Sequence, residues 1–221
     1  FRFQAAARSV TRDDVGRYRI ELADGESLAC AGVVLATDGS TGLLEGLDGE
    51  LAGKLARITR ASSCVVSTGH RLDDVDHPLD AFGLVVPSCE NRRILAVSFS
   101  SRKFAGRAAP DRVLLRTFLG GALQPELVDL PDEQLVALVL EELGDLLGVR
   151  GTPELVDVAR HAGAMPQYTV GHVDRVAEIE RLTAGHDGLG LAGNALYGIG
   201  LPDCIARGES AAETVFASLS G

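Results

Sequence analysis

The sequence is short of positive charge. Lys and Arg number 21 against 31 Asp and Glu, which leaves a formal net charge of −10 at pH 7. Proteins that bind nucleic acid gather cations on one surface, so this balance argues against a nucleic-acid partner. The same excess of acid provides no attraction to an anionic membrane surface.

Cysteine is scarce and widely spaced. Cys30, Cys64, Cys89 and Cys204 form no CxxC pair, which argues against a zinc site or a disulfide framework and indicates thiols of a reducing compartment. We therefore predict no metal site and a cytoplasmic location. No apolar run reaches the roughly 20 residues of a membrane span. A start at Phe1, without Met or a signal-peptide pattern, suggests that upstream sequence is missing.

The N-terminal part has the pattern of an α/β sheet. The apolar and charged fractions, 46% and 24%, are those of a globular protein with one large domain or two small ones. Three short strands separated by polar turns predict a β-meander over residues 8–31. The continuous apolar run 32–37 predicts a strand buried in a parallel sheet. Residues 38–41 would then cap a helix over 42–47.

The middle of the chain changes character after about residue 49. Apolar runs bounded by turns predict an antiparallel sheet, with strands over residues 62–67, 82–86, 94–100 and 113–119. Leucine and valine recur at helical spacing over 133–147, and Gly148 is a natural helix C-cap. The middle segment therefore reads as an insertion that leaves an α/β sheet near residue 48 and returns near residue 186.

Residues 188–217 predict a buried strand, a glycine-rich turn and a helix. Gly193, Gly198 and Gly200 allow positive φ or close approach of a ligand. The free N–H groups at such a helix start can bind an anion or a polar ring edge. A tight connection in any α/β domain has the same pattern, so spacing alone leaves both interpretations open. Small and apolar residues over 205–216 predict a closely packed helix face.

Four blocks, in this order, resemble the HemY-type protoporphyrinogen oxidases, a family within the FAD amine oxidase and phytoene desaturase fold group. The blocks are GLVVP at 83–87, VLLRTF at 113–118, AMPQYTVGH at 164–172 and GNALYGIGLPDCI at 193–205. Each block alone is modest, but four in the right order make the resemblance specific, and it covers essentially the whole chain.

The resemblance implies a fold of mixed α/β and α+β class. Residues 1–47 and 185–221 would form part of a Rossmann-like FAD-binding domain, and residues 48–184 part of an inserted substrate-binding domain with a mixed or antiparallel sheet plus helices. The family's GxGxxG motif lies at its N-terminus, after the first strand of that domain, and the N-terminal part of this chain has no such unit. The resemblance therefore predicts a C-terminal fragment of an FAD enzyme, inactive by itself.

The resemblance also implies particular site residues. The expected FAD contacts are Ile199, Gly200, Leu201, Gly193, Asn194, His161 and Ala7. His161 departs from the tryptophan that is commoner in the family, and a structural role is equally open. Arg116 would meet a substrate propionate, although an internal salt bridge is the commoner fate of an arginine in an apolar strand. No catalytic side chain is expected, because the flavin does the chemistry.

The predicted activity is oxidation of protoporphyrinogen IX to protoporphyrin IX in haem biosynthesis, with O2 as acceptor and H2O2 as product. Three alternatives stay open: coproporphyrinogen III as substrate, another FAD amine oxidase or carotenoid desaturase of the fold group, and a non-catalytic porphyrin-binding module. The resemblance also leaves open a homodimer and peripheral membrane contact through a segment before Phe1.

Overall fold

The computed structural model describes residues 1–37 and 42–220, which form two compact units. Unit 1 comprises Phe1–Thr59 and Pro166–Gly221, and unit 2 comprises Arg60–Met165. The chain therefore leaves unit 1 after Thr59, forms unit 2, and returns to unit 1 at Pro166. The assignment of 1–47 and 185–221 to an FAD domain, and of 48–184 to a substrate domain, stays a prediction, because compactness does not identify function.

Ten strands and five helices lie in the described residues. The strands are β1 (Ala7–Arg12), β2 (Tyr18–Leu22), β3 (Ser27–Cys30), β4 (Val33–Leu35), β5 (Arg60–Arg71), β6 (Gly83–Val85), β7 (Ala96–Phe99), β8 (Arg112–Gly120), β9 (Leu155–Pro166) and β10 (Leu189–Leu191). The helices are α1 (Gly49–Ala56), α2 (Ser100–Lys103), α3 (Asp132–Leu147), α4 (His172–Thr183) and α5 (Leu201–Leu219). Short 3-10 turns connect several of them.

Unit 1 contains the predicted meander and the predicted parallel strand. Strands β1, β2 and β3 form an antiparallel sheet in that order. Strand β4 pairs in parallel with β10, with Val33 opposite Leu189. The hydroxyl of the fully buried Tyr18 donates to the carbonyl of Asp187 at 2.8 Å, which ties the meander to the turn before β10.

The predicted helix over residues 42–47 is wrong. Residues 43–47 form hydrogen-bonded turns, and α1 begins only at Gly49. The reason is the Asp48 side chain, which accepts from the N–H groups of Glu50 and Leu51, both at 2.9 Å, and so caps the helix at that point. His186, 2.8 Å from the same carboxylate, contributes most to a lowered pKa of Asp48. The cap predicted at residues 38–41 lies outside the described residues.

Helix α5 packs on the parallel pair because glycines let it approach. A Cβ at Gly32 would lie 2.6 Å from Val215 Cγ1, and one at Gly190 would lie 3.0 Å from Val215 Cγ2. The closely packed face predicted for residues 205–216 is narrower than expected, since only Ala211 and Val215 are buried.

Unit 2 contains a five-stranded sheet in the order β6-β7-β8-β5-β9, and its pairs β6–β7, β7–β8 and β8–β5 are antiparallel, as predicted. Helix α3, close to its predicted bounds, covers one face with Leu135, Val139 and Leu143, all 0% exposed. Gly148 ends the helix with φ 62°, the left-handed conformation expected of a glycine C-cap.

Strand alternation places Arg116 and His161 on the face that α3 does not cover. Leu115 and Thr117 are buried on the α3 side, so Arg116 between them projects to the other face. On β9, Arg160 donates to the carbonyls of Val128 and Leu130 on the α3 side, which turns His161 to the opposite face.

A buried histidine lies within the unit 2 core. His70 is 1% exposed, and among the described residues neither ring nitrogen has a hydrogen-bond partner. Burial lowers its pKa, and the charge of Asp74 opposes that effect only in part. The folded protein therefore holds His70 neutral at pH 7.

We expect His70 to make unit 2 less stable in weak acid. Because its folded pKa is depressed, the unfolded state binds more protons as the pH falls through about 6.5, and the free energy of unfolding decreases by at most about 1.4 kcal/mol per pH unit. The loss stops below the folded pKa. Hydrogen exchange of β5 and β8 amides at about pH 7.5 and about pH 5.5 measures it. His70→Leu should reduce the pH dependence, whereas the exposed His161→Leu should leave it unchanged.

Candidate functional site

The candidate site begins where two parallel strands end side by side. Strand β10 runs into Gly193, and a Cβ on Gly193 would lie 3.5 Å from the carbonyl oxygen of Thr37, just after β4. Open parallel sheets bind ligands outside the carboxyl ends of their strands. The next loop and the start of α5 therefore occupy the position where such a ligand is expected.

The loop from Gly193 to Gly200 uses its glycines in different ways. Gly193 and Gly198 have φ values of 99° and 71°, which confirms the expected positive φ at these two positions. Gly200 has φ −70°, so it does not adopt the left-handed backbone conformation. The Asp203 carboxylate folds back over the loop, because Cβ atoms at Gly198 and Gly200 would lie 2.4 and 3.0 Å from its Oδ2.

The start of α5 presents backbone donors beside apolar side chains. Gly200 is the N-cap, and no side chain of the described residues caps the helix there. The first N–H groups of an α-helix have no intrahelical acceptor, so those of Leu201 and Asp203 are available to a ligand. Ile199 and Leu201 are 57% and 80% exposed. A planar ring with polar edges and apolar faces fits this combination.

A second feature of unit 1 is a cavity that the sequence did not reveal. It has a volume of about 220 Å³ and lies between α4, β10 and α5. At its mouth the Arg207 guanidinium lies 3.8 Å from the centre of the Tyr197 ring, and the Tyr197 hydroxyl donates to Glu180 at 2.8 Å. The spacing of residues in the sequence does not predict this cavity, because its walls come from three elements that are separate in the chain.

The structure distributes the predicted site residues over both units. The loop residues Gly193, Asn194, Ile199, Gly200 and Leu201 form one continuous segment of unit 1. Ala7 is an exposed residue at the start of β1, in the meander sheet of the same unit. Whether these residues contact FAD stays a prediction.

Arg116 and His161 belong to unit 2, and both are exposed. Arg116 stands opposite Ser67 on β5 and Ser98 on β7, two short side chains that leave its guanidinium uncovered. It lies 5.6 Å from the Phe118 ring, and no carboxylate of the described residues forms an ion pair with it. The alternative of an internal salt bridge therefore finds no support among the described residues, because Arg116 is not buried, and the contact with a substrate propionate stays a prediction.

Comparison with known proteins identifies the family. The model of the flavin containing amine oxidoreductases matches residues 1–216. The chain belongs to this family. Membership confirms the resemblance to the FAD amine oxidase fold group and the prediction of a flavin cofactor.

Two curated relatives are similar in sequence to most of this chain. A coproporphyrinogen III oxidase of Propionibacterium freudenreichii is 36% identical over 206 residues, which are 92% of this chain and 38% of that protein. A mitochondrial protoporphyrinogen oxidase of Nicotiana tabacum is 32% identical over 158 residues, 70% of this chain and 31% of that protein. This chain therefore spans less than half the length of either relative.

Solved structures share the fold. A crystal structure assigned as a protoporphyrinogen oxidase from Exiguobacterium superposes with a TM-score of 0.81 at 29% identity, over 100% of this chain and 48% of that one. Cyclohexylamine oxidase from Brevibacterium oxydans gives 0.69 at 12% identity, over 99% and 49%, which shows the fold alone. These neighbours confirm the predicted fold class.

The residues present fit a flavin at the start of α5. A helix N-terminus without a side-chain cap leaves donors for a polar ring edge, and Ile199 and Leu201 offer apolar contact. Among the described residues, no group of three His, Cys, Asp or Glu is placed to hold a metal ion. Nor does any helix of that part of the chain have the length and apolarity to cross a bilayer.

Proposed function

We propose that the protein oxidises a porphyrinogen to a porphyrin with FAD, in haem biosynthesis. The uncapped, exposed start of α5 at the ends of two parallel strands supports this proposal most strongly. When bound, the flavin would supply two-electron oxidation, and because a porphyrinogen loses six electrons on becoming a porphyrin, three rounds are needed, each reducing one O2 to H2O2. The residues from Gly193 to Leu201 would hold one edge of its ring through backbone donors and provide apolar contact.

The substrate is the finer part of the proposal. The sequence resemblance ranks protoporphyrinogen IX first. Identity over most of the chain to a coproporphyrinogen III oxidase favours that substrate, which carries more carboxylates. We therefore propose coproporphyrinogen III for the first assay, with protoporphyrinogen IX as the alternative. A homodimer and peripheral membrane contact stay predictions.

A titration with FAD tests the cofactor part, performed on the full-length gene product (the native protein below) because this chain alone is predicted to be inactive. We expect saturable uptake with a resolved change in the flavin absorption bands. The loaded protein is then given each porphyrinogen in air, with porphyrin fluorescence and H2O2 as readouts. Oxidation of neither substrate by a loaded protein contradicts the proposed activity. Porphyrin binding without flavin uptake would instead support a non-catalytic module.

Arg116 provides the test of substrate binding. Replacing it by Met removes one charge-assisted contact to a carboxylate, worth about 1.5–3 kcal/mol, so we expect KM to rise by about tenfold or more while kcat changes little. Arg19→Met, at an exposed position of β2 in unit 1, is the matched control and should leave KM unchanged. An unchanged KM in Arg116→Met would remove Arg116 from the substrate site.

A further inference from the structure

Two aromatic side chains of unit 1 are stacked beside the candidate flavin loop. The rings of Tyr168 and His172 lie 4.1 Å apart, with 13° between their planes. They are four residues apart, one in the segment before α4 and the other at the first position of that helix. The stack limits the rotation of both side chains, since neither ring can turn without separating from the other.

Each ring also donates a hydrogen bond to the loop. The Tyr168 hydroxyl donates to the carbonyl oxygen of Asn194 at 2.6 Å. His172 Nε2 lies 2.9 Å from the carbonyl oxygen of Leu196. Because a carbonyl only accepts, Nε2 must carry the proton and supply the donor.

The two bonds hold the carbonyl oxygens of Asn194 and Leu196, which precede Gly198 and Gly200 in the loop. His172 is 7% exposed, so its bond to Leu196 is shielded from water. Burial raises the pKa of the Tyr168 hydroxyl, and the carboxylate of Asp203 in the first turn of α5 raises it further. Through its two bonds the pair holds the loop on the N-terminal side of Gly198.

Asp203 folds over Gly198 and Gly200 from the helix side, while Tyr168 and His172 hold the strand side. A segment held at both ends has few positions available to its backbone amides. Donors that are already oriented bind a ligand without the entropic cost of ordering them.

We infer that Tyr168 and His172 are positioning residues that set the placement of the backbone donors at Ile199–Leu201 against the flavin ring. The inference rests on the proposed flavin site. It concerns residues that touch the loop and not the reacting atoms. It assigns to the pair a role in flavin affinity and in the electronic environment of the ring, beyond anchoring the start of α4.

Four variants of the native protein, each titrated with FAD, test the inference. Tyr168→Phe removes the hydroxyl and retains the ring, and His172→Leu removes both donor and stack. We expect each to raise the FAD Kd by about tenfold, the effect of losing one oriented hydrogen bond, and to shift the flavin absorption maximum and reduction potential. His172→Gln restores an N–H donor at the position of Nε2 and should recover most of the affinity and the wild-type spectrum.

Tyr18→Phe is the matched control. It removes a tyrosine hydroxyl of unit 1 that donates to the carbonyl of Asp187 rather than to a loop carbonyl, so we expect the wild-type flavin spectrum and Kd. If Tyr168→Phe and His172→Leu lower the melting temperature but leave Kd, spectrum and potential unchanged, the pair is only structural and the inference fails. A wild-type protein that takes up no FAD overturns the proposed function as well, which separates the two failures.

Discussion

Gly198→Ala should reduce FAD affinity by at least about tenfold in the native protein. The residue has φ 71°, and a non-glycine residue in that region costs about 1–3 kcal/mol. The new Cβ would also lie 2.4 Å from Asp203 Oδ2. The Asp203 Cβ would lie only 2.8 Å away as well, so rotating the carboxylate is not enough and the backbone itself must shift beside the donors at the start of α5. FAD titration followed by absorbance measures the loss.

Two further variants separate the effect of backbone strain on FAD affinity from the effect of the clash with Asp203. Gly208→Ala, inside α5 where a Cβ would have no described atom within 4 Å, should leave FAD affinity unchanged and should favour the helix. Combining Gly198→Ala with Asp203→Gly removes the contacts with Oδ2, Cγ and Cβ of Asp203 but not the backbone strain, so part of the affinity should return. Wild-type affinity in the single Gly198→Ala variant would contradict the assignment of this loop to the flavin.

Gly188→Ala should cause the largest loss of stability in unit 1, about 3 kcal/mol. Gly188 has φ 77°, and a Cβ would lie 2.8 Å from the backbone carbonyl of Ala31 and 3.3 Å from Tyr18 Cε2. A backbone oxygen at the junction of β3 and β4 cannot rotate away as a side chain can. The clash therefore disturbs the start of the β4–β10 pairing.

Gly16→Ala is the control that separates strain from crowding. Its φ is 81°, almost the same, but no described atom lies within 4 Å of a Cβ there. We expect a loss of about 1 kcal/mol, from backbone strain alone. The protein has no Trp and three Tyr, all in unit 1, so tyrosine fluorescence during urea unfolding reports on that unit. Equal losses in the two variants would show that the contact with Ala31 is unimportant.

Local patterns were sufficient for most elements because they depend on neighbours in the chain. The 3.6-residue spacing of Leu and Val predicted α3, and Gly148 predicted where it ends. The alternation and turns of the N-terminal segment predicted the meander. Helix α1 was missed because its signal is a single cap, Asp48, reinforced by His186 from far along the chain.

The candidate site, too, was predicted in part from local sequence patterns and in part depends on contacts between distant residues. The glycine pattern predicted a turn with positive φ before a helix, and the family resemblance attached a flavin to it. The exposure of Arg116 could not be predicted from an apolar strand, because it depends on which face α3 covers. The bonds from Tyr168 and His172 to the loop are also invisible in sequence, since they join residues more than twenty positions apart.

The order of residues alone determined a parallel strand at 32–37, an antiparallel insertion, and a glycine-punctuated start to the last helix, since each depends on side-chain periodicity and backbone freedom. Only the tertiary structure decided that β4 meets β10, that the start of α5 is left open, and which side chains hold the preceding loop. Such long-range contacts arise when distant segments bury apolar surface together, and the free energy of that burial depends on every element in the unit.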